Sequence, residues 1–312
     1  MNQKVLVSII MNCYNGESYL REAIDSVLNQ TYVNWELIFW DNQSTDASAG
    51  IIKSYEEPRI RYFYAPEHTR LFEARNYAVE KSEGEILAFL DVDDWWDAKK
   101  LELQITKFED KTVGLVCGNY EVFYEDLKRG LPGWKGEKPS GFIANELLMD
   151  YHVSMLTILI RRSTYNEVGG FDSRFSIIGD FDLAMRIAES RQIQTVNQMI
   201  AHYRIHGANE TILKRKLHLE ELKIWTCEAR SRLPESNLPS LKNLEKNILY
   251  LEGQNAADAG DFLILFQKLQ QLFPSRWFYK LIIQNIIPTP LLLSVRQFLD
   301  KSFGPTRQNS NQ

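Results

Sequence analysis

The sequence predicts an α/β protein: a mostly parallel central sheet flanked by helices, followed by a helical carboxy-terminal region. Three observations predict it. Apolar runs of strand length alternate with stretches of helical spacing through about residue 210. One of those runs, Ile86–Leu90, passes straight into Asp91-Val92-Asp93-Asp94, which is how a strand buried on both faces delivers polar groups to the edge of a parallel sheet. From about Leu213 the strand signals stop and apolar residues recur only at helical intervals.

In chain order, Val5–Met11 reads as a buried first strand ending in the turn-rich Asn12-Cys13-Tyr14-Asn15-Gly16. Leu20, Ala23, Ile24, Val27 and Leu28 then mark a helix, with Asn15 or Ser18 available as its cap. Glu36–Trp40 forms a second strand running into Asp41-Asn42-Gln43-Ser44-Thr45-Asp46, and a short helix passes through Ala47, Ile51, Ile52 and Tyr55. Ile60–Tyr64 is the third strand, and Leu71, Ala74 and Ala78 mark the helix that precedes the Asp91 run. Alternation along an extended strand would put Asp91 and Asp93 on one face and Asp94 on the other. Val113–Cys117 and Met155–Ile160 read as further strands, with Gly130–Gly136 a loop or edge hairpin between them. Val168-Gly169-Gly170-Phe171-Asp172 reads as a turn, and Gly179-Asp180-Phe181-Asp182-Leu183 opens a helix. Ligands bind at the carboxyl ends of strands in such sheets, so Asn12–Tyr14, Asp41 and Asp91–Asp94 should converge.

Composition narrows the class. The chain of 312 residues exceeds the usual single core, so a catalytic domain over 1–210 and a helical region over 211–312 are expected, with 302–312 a frayed polar tail. The net charge of −5 argues against nucleic acid as partner. Cys13, Cys117 and Cys227 are too scattered for a metal-spaced pair or a disulfide framework, which suits a reducing compartment. No signal peptide is evident, and no window approaches the ~18 uninterrupted apolar residues of a membrane span; a cytoplasmic protein is expected. Crowded carboxylates at a strand end repel, and relief comes from protonation or from a hard divalent cation such as one holding a diphosphate.

Five segments in register carry a resemblance: Val7-Ser8-Ile9-Ile10 with Tyr14-Asn15, Trp40–Asp46, Ala74-Arg75-Asn76, Asp91–Asp94, and Gly169-Gly170-Phe171-Asp172. Over residues 4–206 the chain resembles family 2 glycosyltransferases of the GT-A fold. The resemblance implies an inverting transferase that takes a nucleotide-diphosphate sugar and Mn²⁺ or Mg²⁺. By that resemblance Asn12, Tyr14, Asp41, Arg75, Asp91 and Asp93 meet the sugar nucleotide, Asp93, Asp94 and His206 the metal, and Asp180 is the catalytic base, with Asp182 the substitute. A carboxylate at Asp41 accepting an imide N–H favours uracil, hence a UDP-sugar, against the alternative of an aspartate capping its own turn. Asp180 as a helix N-cap is the corresponding alternative for the base. Trp95-Trp96 reads as a sugar-stacking surface or as core.

Two departures from the family pattern stand out. Bulky Leu71 and Phe72 precede Ala-Arg-Asn where small residues are usual, and Gly179 stands where a glutamate usually precedes the base. The family setting implies a glycan or lipid-linked acceptor in bacterial surface polysaccharide or lipopolysaccharide synthesis. The alternatives are an inactive nucleotide-sugar or glycan-binding protein, and a nucleotidyltransferase. The latter wants a basic glycine-rich loop after strand one, which Asn12–Gly16 is not. For the helical end three readings stay open: packing on the catalytic domain, a homo-oligomer contact, or Phe278–Leu299 lying peripherally against the inner membrane face.

Overall fold

The computed structural model describes residues 5–207, 209 and 213–286. The chain divides into two compact units with the boundary between Glu221 and Leu222. In the first, the strands are β1 (Val7–Cys13), β2 (Trp35–Asp41), β3 (Ile60–Tyr64), β4 (Ile86–Phe89), β5 (Trp95–Trp96), β6 (Val113–Tyr124), β7 (Arg129–Pro132), β8 (Leu159–Arg161) and β9 (Gln192–Ile205). They form one sheet in the order β3-β2-β1-β4-β8-β6-β9-β5, with β7 added to β6. The β3-β2-β1-β4 half is parallel throughout. Beyond it, β8 runs antiparallel to both β4 and β6, while β6 and β9 are parallel.

Every residue of β1 and of β2 is buried, as strands covered on both faces require. Helix α1 (Leu20–Leu28) lays Leu20, Ala23, Ile24 and Val27 into the same core as Val7, Ile9 and Met11. Tyr19 holds its cap position and makes no side-chain cap; neither Asn15 nor Ser18 serves there. Helices α2 (Ser48–Lys53) and α3 (Leu71–Glu80) link the next parallel strands. The chain leaves β1 toward β2 and β3, then returns to β4 on the other side of β1. A ligand crevice opens where the strand order reverses in this way, at the carboxyl ends of β1 and β4.

Four local outcomes differ from the sequence reading. Pairing of β4 ends with the Leu90 N–H on the Ile10 carbonyl (3.1 Å), and Asp91–Asp94 is a turn closed by the Asp94 N–H on Asp91 O (3.2 Å). Strand alternation therefore does not apply to these aspartates. Met155–Thr157 is a turn of 3₁₀ helix, leaving Leu159–Arg161 as the strand. The two-residue β5 and the fourteen-residue β9 were not anticipated. Trp95 pairs with His202 and Trp96 with Ala201, which brings the end of β9 beside the aspartate turn. Of the two open readings for Gly130–Gly136, the hairpin is what forms, through β7 on β6.

The remaining helices of the first unit include α4 (Lys100–Ile105), α5 (Ala144–Met149), α6 (Arg162–Glu167) and α7 (Gly179–Ala188). Helix Arg215–Arg232 straddles the unit boundary. The second unit holds helices Leu238–Asp258, Phe262–Leu272 and Arg276–Ile286, with a small core of Tyr250, Leu272 and Leu281. Within Phe278–Leu299, residues 278–286 are described; the rest of that stretch and the 302–312 tail lie outside the described residues. No described helix is long and apolar enough to cross a membrane.

Candidate active site

A cavity of about 930 Å³ opens at the carboxyl ends of β1 and β4. Asn12, Tyr14, Arg75, Asp91, Asp93, Asp94 and Asp180 all line it. Asp41 and His206 do not line it; His206 contacts Asp93, which does.

The first wall is the β1 turn. Asn12 is buried, and neither atom of its side-chain amide has a hydrogen-bond partner. An amide withdrawn from water and left unpaired is costly unless a ligand completes it. Tyr14 is 55% exposed, with its ring 4.4 Å from that of His68 across the cavity mouth. Asn15 takes a left-handed backbone (φ 54°), and its carboxamide oxygen accepts from Thr45 N (2.8 Å), so the ends of β1 and β2 are tied together. Gly16 has a spatial reason: a Cβ there would fall 2.7 Å from Val92 Cγ2, so only glycine lets this turn approach the aspartate turn.

Asp41 is fully buried behind that wall. Its Oδ1 accepts from Ser44 N (2.7 Å) and its Oδ2 from the Tyr62 hydroxyl (2.8 Å). Oδ1 thus caps the β2 turn, which is the turn-capping alternative, while Oδ2 ties the end of β2 to β3. The carboxylate has already found two donors inside the protein, so it is not presented to the cavity.

The aspartate turn is held from β9. Arg204, buried, donates its backbone N–H to Asp94 Oδ1 (2.9 Å) and its Nε–H to Asp93 O (3.0 Å), and its guanidinium pairs with Glu22. It also lies 4.5 Å over the Trp95 ring. His206 Nε2 is 3.0 Å from Asp93 Oδ2. Burial, followed by the charge of Asp91, pushes the Asp93 carboxyl up; burial and then Asp93 and Asp91 push Asp94 well up. Among the described residues no group of three or more His, Cys, Asp or Glu side chains forms a ready cage for a metal. The set nevertheless fits a cation that takes part of its shell from a diphosphate, since Mg²⁺-like ions use one or two carboxylates plus phosphate oxygens. Trp96 is core, its Nε1–H on Leu156 O (2.8 Å), and Trp95 stacks on His202 at 4.7 Å; neither lines the cavity.

Helix α3 supplies Arg75, buried and ion-paired with Asp91. The next residue, Asn76, does something the sequence reading left unassigned. Its Nδ2 donates to Phe171 O (2.9 Å), and its Oδ1 accepts from Phe171 N (3.0 Å) and the Tyr165 hydroxyl (2.5 Å). The Ala-Arg-Asn and Gly-Gly-Phe-Asp segments are therefore bolted to each other by one side chain.

Asp180 follows on α7. Ile178 holds the N-cap position, and Asp180, in the first turn, accepts the adjacent Phe181 N–H (2.8 Å). Withdrawal from solvent, only partly offset by that N–H and by Arg75, pushes its carboxyl up to about 6. Asp182 is committed elsewhere: buried, it binds Arg186 Nε and Nη2 (2.9 and 2.6 Å), while Arg186 also donates to Val168 O and Gly170 O (2.5 and 2.8 Å). Asp182 thus props the glycine turn. Glu221, also missed by sequence, accepts the N–H groups of Ser176, Ile177 and Ile178 (2.7, 2.9 and 3.1 Å) and fixes the approach to α7.

The two departures explain each other. Phe72 is buried, lines the cavity, packs on Phe171 (5.1 Å between centroids) and lies under Arg75 (5.0 Å). A Cβ on residue 179 would fall 2.5–2.6 Å from Phe72 ring atoms. The ring occupies the volume a side chain at 179 would need. Gly179→Ala is expected to cost about 1–3 kcal/mol by overpacking, and Phe72→Ala/Gly179→Ala markedly less than the sum of the singles. Denaturant melts of the three variants check this; strict additivity would separate the two positions.

The parallel half-sheet with a switch-point cavity lined by carboxylates and an arginine is the architecture of a GT-A glycosyltransferase. Residues 8–175 match the family described as Glycosyl transferase family 2, and the chain belongs to that family. It is 33% identical over 192 residues (62% of this chain, 73% of the relative) to the Escherichia coli UDP-Glc:alpha-D-GlcNAc-diphosphoundecaprenol beta-1,3-glucosyltransferase WfgD. Among solved structures it is similar in fold to the mannosyltransferase PcManGT of Pyrobaculum calidifontis in complex with GDP-Man and Mn²⁺. That match has a TM-score of 0.62 at 17% identity and covers 96% of this chain and 81% of the other. It is also similar to S. aureus TarS 1-349 in complex with UDP-GlcNAc, with a TM-score of 0.61 at 15% identity, covering 84% and 89%.

Proposed function

We propose that this chain moves a sugar, with inversion, from a UDP-sugar to a hydroxyl of a glycan or lipid-linked acceptor on the cytoplasmic side of a bacterial surface polysaccharide pathway. The observation that carries the reading is Asp180: a carboxyl pushed up to about 6, in the same cavity as Arg75 and the aspartate turn. A general base works best with a pKa near the operating pH. In this reading Asp180 takes the proton of the acceptor hydroxyl as its oxygen attacks the anomeric carbon. The bond to the diphosphate breaks and the nucleotide diphosphate leaves.

Asn12 and Tyr14 provide an unpaired amide and an exposed ring for the nucleoside, and Arg75 a fixed positive charge for the diphosphate. Mn²⁺ or Mg²⁺, held by Asp93, Asp94 and His206, would supply charge that stabilises the departing diphosphate. UDP is favoured because WfgD, by name, uses UDP-Glc. The WfgD name also motivates the lipid-linked acceptor.

A donor screen scored by release of nucleotide diphosphate, with and without Mn²⁺, tests this. The expected result is consumption of one UDP-sugar that depends on the cation and on an acceptor. Binding of UDP without consumption of any donor would leave a binding protein instead.

A further inference from the structure

Selecting uracil over cytosine requires an acceptor for the imide N–H of the base. Asp41 is committed to Ser44 N and the Tyr62 hydroxyl and does not line the cavity, so the acceptor has to come from elsewhere. His68 lines the cavity, on a loop fixed to the end of β2: Asn42 donates Nδ2–H to Thr69 O (2.8 Å) and accepts Thr69 N–H at Oδ1 (3.2 Å). His68 Nδ1 lies 2.9 Å from Asn42 O. A carbonyl oxygen only accepts, so Nδ1 carries the proton, and Nε2 of the neutral ring is left as an acceptor. Among the described residues Nε2 has no hydrogen-bond partner.

The neighbouring side chains divide the work. The exposed Tyr14 ring stands 4.4 Å from the His68 ring at an interplanar angle of 58°. A base lying flat on Tyr14 meets a ring tilted in this way at its edge, where its N–H and carbonyl groups are. The unpaired Asn12 amide offers both a donor and an acceptor, and it can turn to suit either pyrimidine, so it does not choose between them. His68 does, because Asn42 O fixes its tautomer. Uracil brings a proton to Nε2, whereas cytosine brings a lone pair.

We propose that His68 is the residue that makes the site specific for a uracil nucleotide, its Nε2 accepting the imide N–H of the base. This deepens the UDP-sugar reading above and rests on it.

The test is calorimetric binding of UDP, N3-methyl-UDP and CDP, with Mn²⁺ present, to the full chain and to His68→Asn and His68→Gln. The methylated nucleotide lacks the imide proton. Asparagine keeps an amide donor for Asn42 O and ends short of the Nε2 position, while glutamine carries an acceptor oxygen out to it. The unaltered chain should bind UDP about tenfold more tightly than either analogue, a difference of one well-made hydrogen bond. His68→Asn should narrow both ratios to within about twofold, and His68→Gln should restore part of the preference. A merely structural role for His68 would weaken all three nucleotides together and leave the ratios standing, which would overturn the proposal. Equal binding of UDP and N3-methyl-UDP by the unaltered chain would overturn it without any variant. Absence of UDP binding would instead remove the UDP reading itself, and this proposal with it.

Discussion

Asp180→Asn should lower turnover by about 10²–10⁴-fold while leaving UDP affinity within about twofold. The amide keeps the size of the side chain and its acceptor oxygen for the Phe181 N–H, and loses only the ability to take a proton. In the proposed reading the donor meets Asn12, Tyr14 and Arg75, which line other parts of the cavity, so binding should survive. The pH profile sharpens the test. A carboxyl raised to about 6 is protonated, and idle as a base, below that value, so kcat should climb as pH rises through about 6 and level off above it. The Asn variant should lack that limb in its residual activity. Turnover close to that of the unaltered enzyme, or an unshifted acid limb in the variant, would remove Asp180 from the chemistry.

Asp182→Ala should show the second large effect, on stability. The Asp182–Arg186 pair is largely shielded from water, and Arg186 reaches from it to the carbonyls of Val168 and Gly170. Removing the acid strands the guanidinium, a change that costs about 3 kcal/mol or more where one partner of a buried pair is deleted. In a domain of this size that lowers the melting temperature on the order of 10 °C. Thermal unfolding of Asp182→Ala beside Asp180→Asn reads the difference: the first should melt early, the second near the parent. A parent-like melt for Asp182→Ala would show that the glycine turn holds without its prop. The contrast matters because the two acids are neighbours in sequence with opposite duties.

How far the sequence reaches is visible element by element. Strands β1 to β4 are short runs dominated by apolar and aromatic residues between turn residues, and their pattern is local, so they could be read directly. Strand β9 could not. Its middle, Asn197-Gln198-Met199, is exposed where the register against β6 shifts, which erases any regular period. With β9 unread, the role of Arg204 as the clamp on the aspartate turn was out of reach, since the two are 110 residues apart. The candidate site residues were legible because motif residues keep their spacing. The residues that position them, Asn76, Arg204 and Glu221, act through long-range hydrogen bonds that leave no local mark. Asp41 illustrates the converse: its place in the motif was readable, and its commitment to Ser44 and Tyr62 was not.

The interlock of Phe72 with Gly179 has a practical meaning for anyone seeking to redirect such an enzyme toward a new sugar. Positions 72 and 179 constitute a single degree of freedom, since any side chain at 179 invades the Phe72 ring. A mutagenesis library that diversifies them as a couple explores real changes of pocket shape, whereas one that scans them singly spends most of its members on collisions.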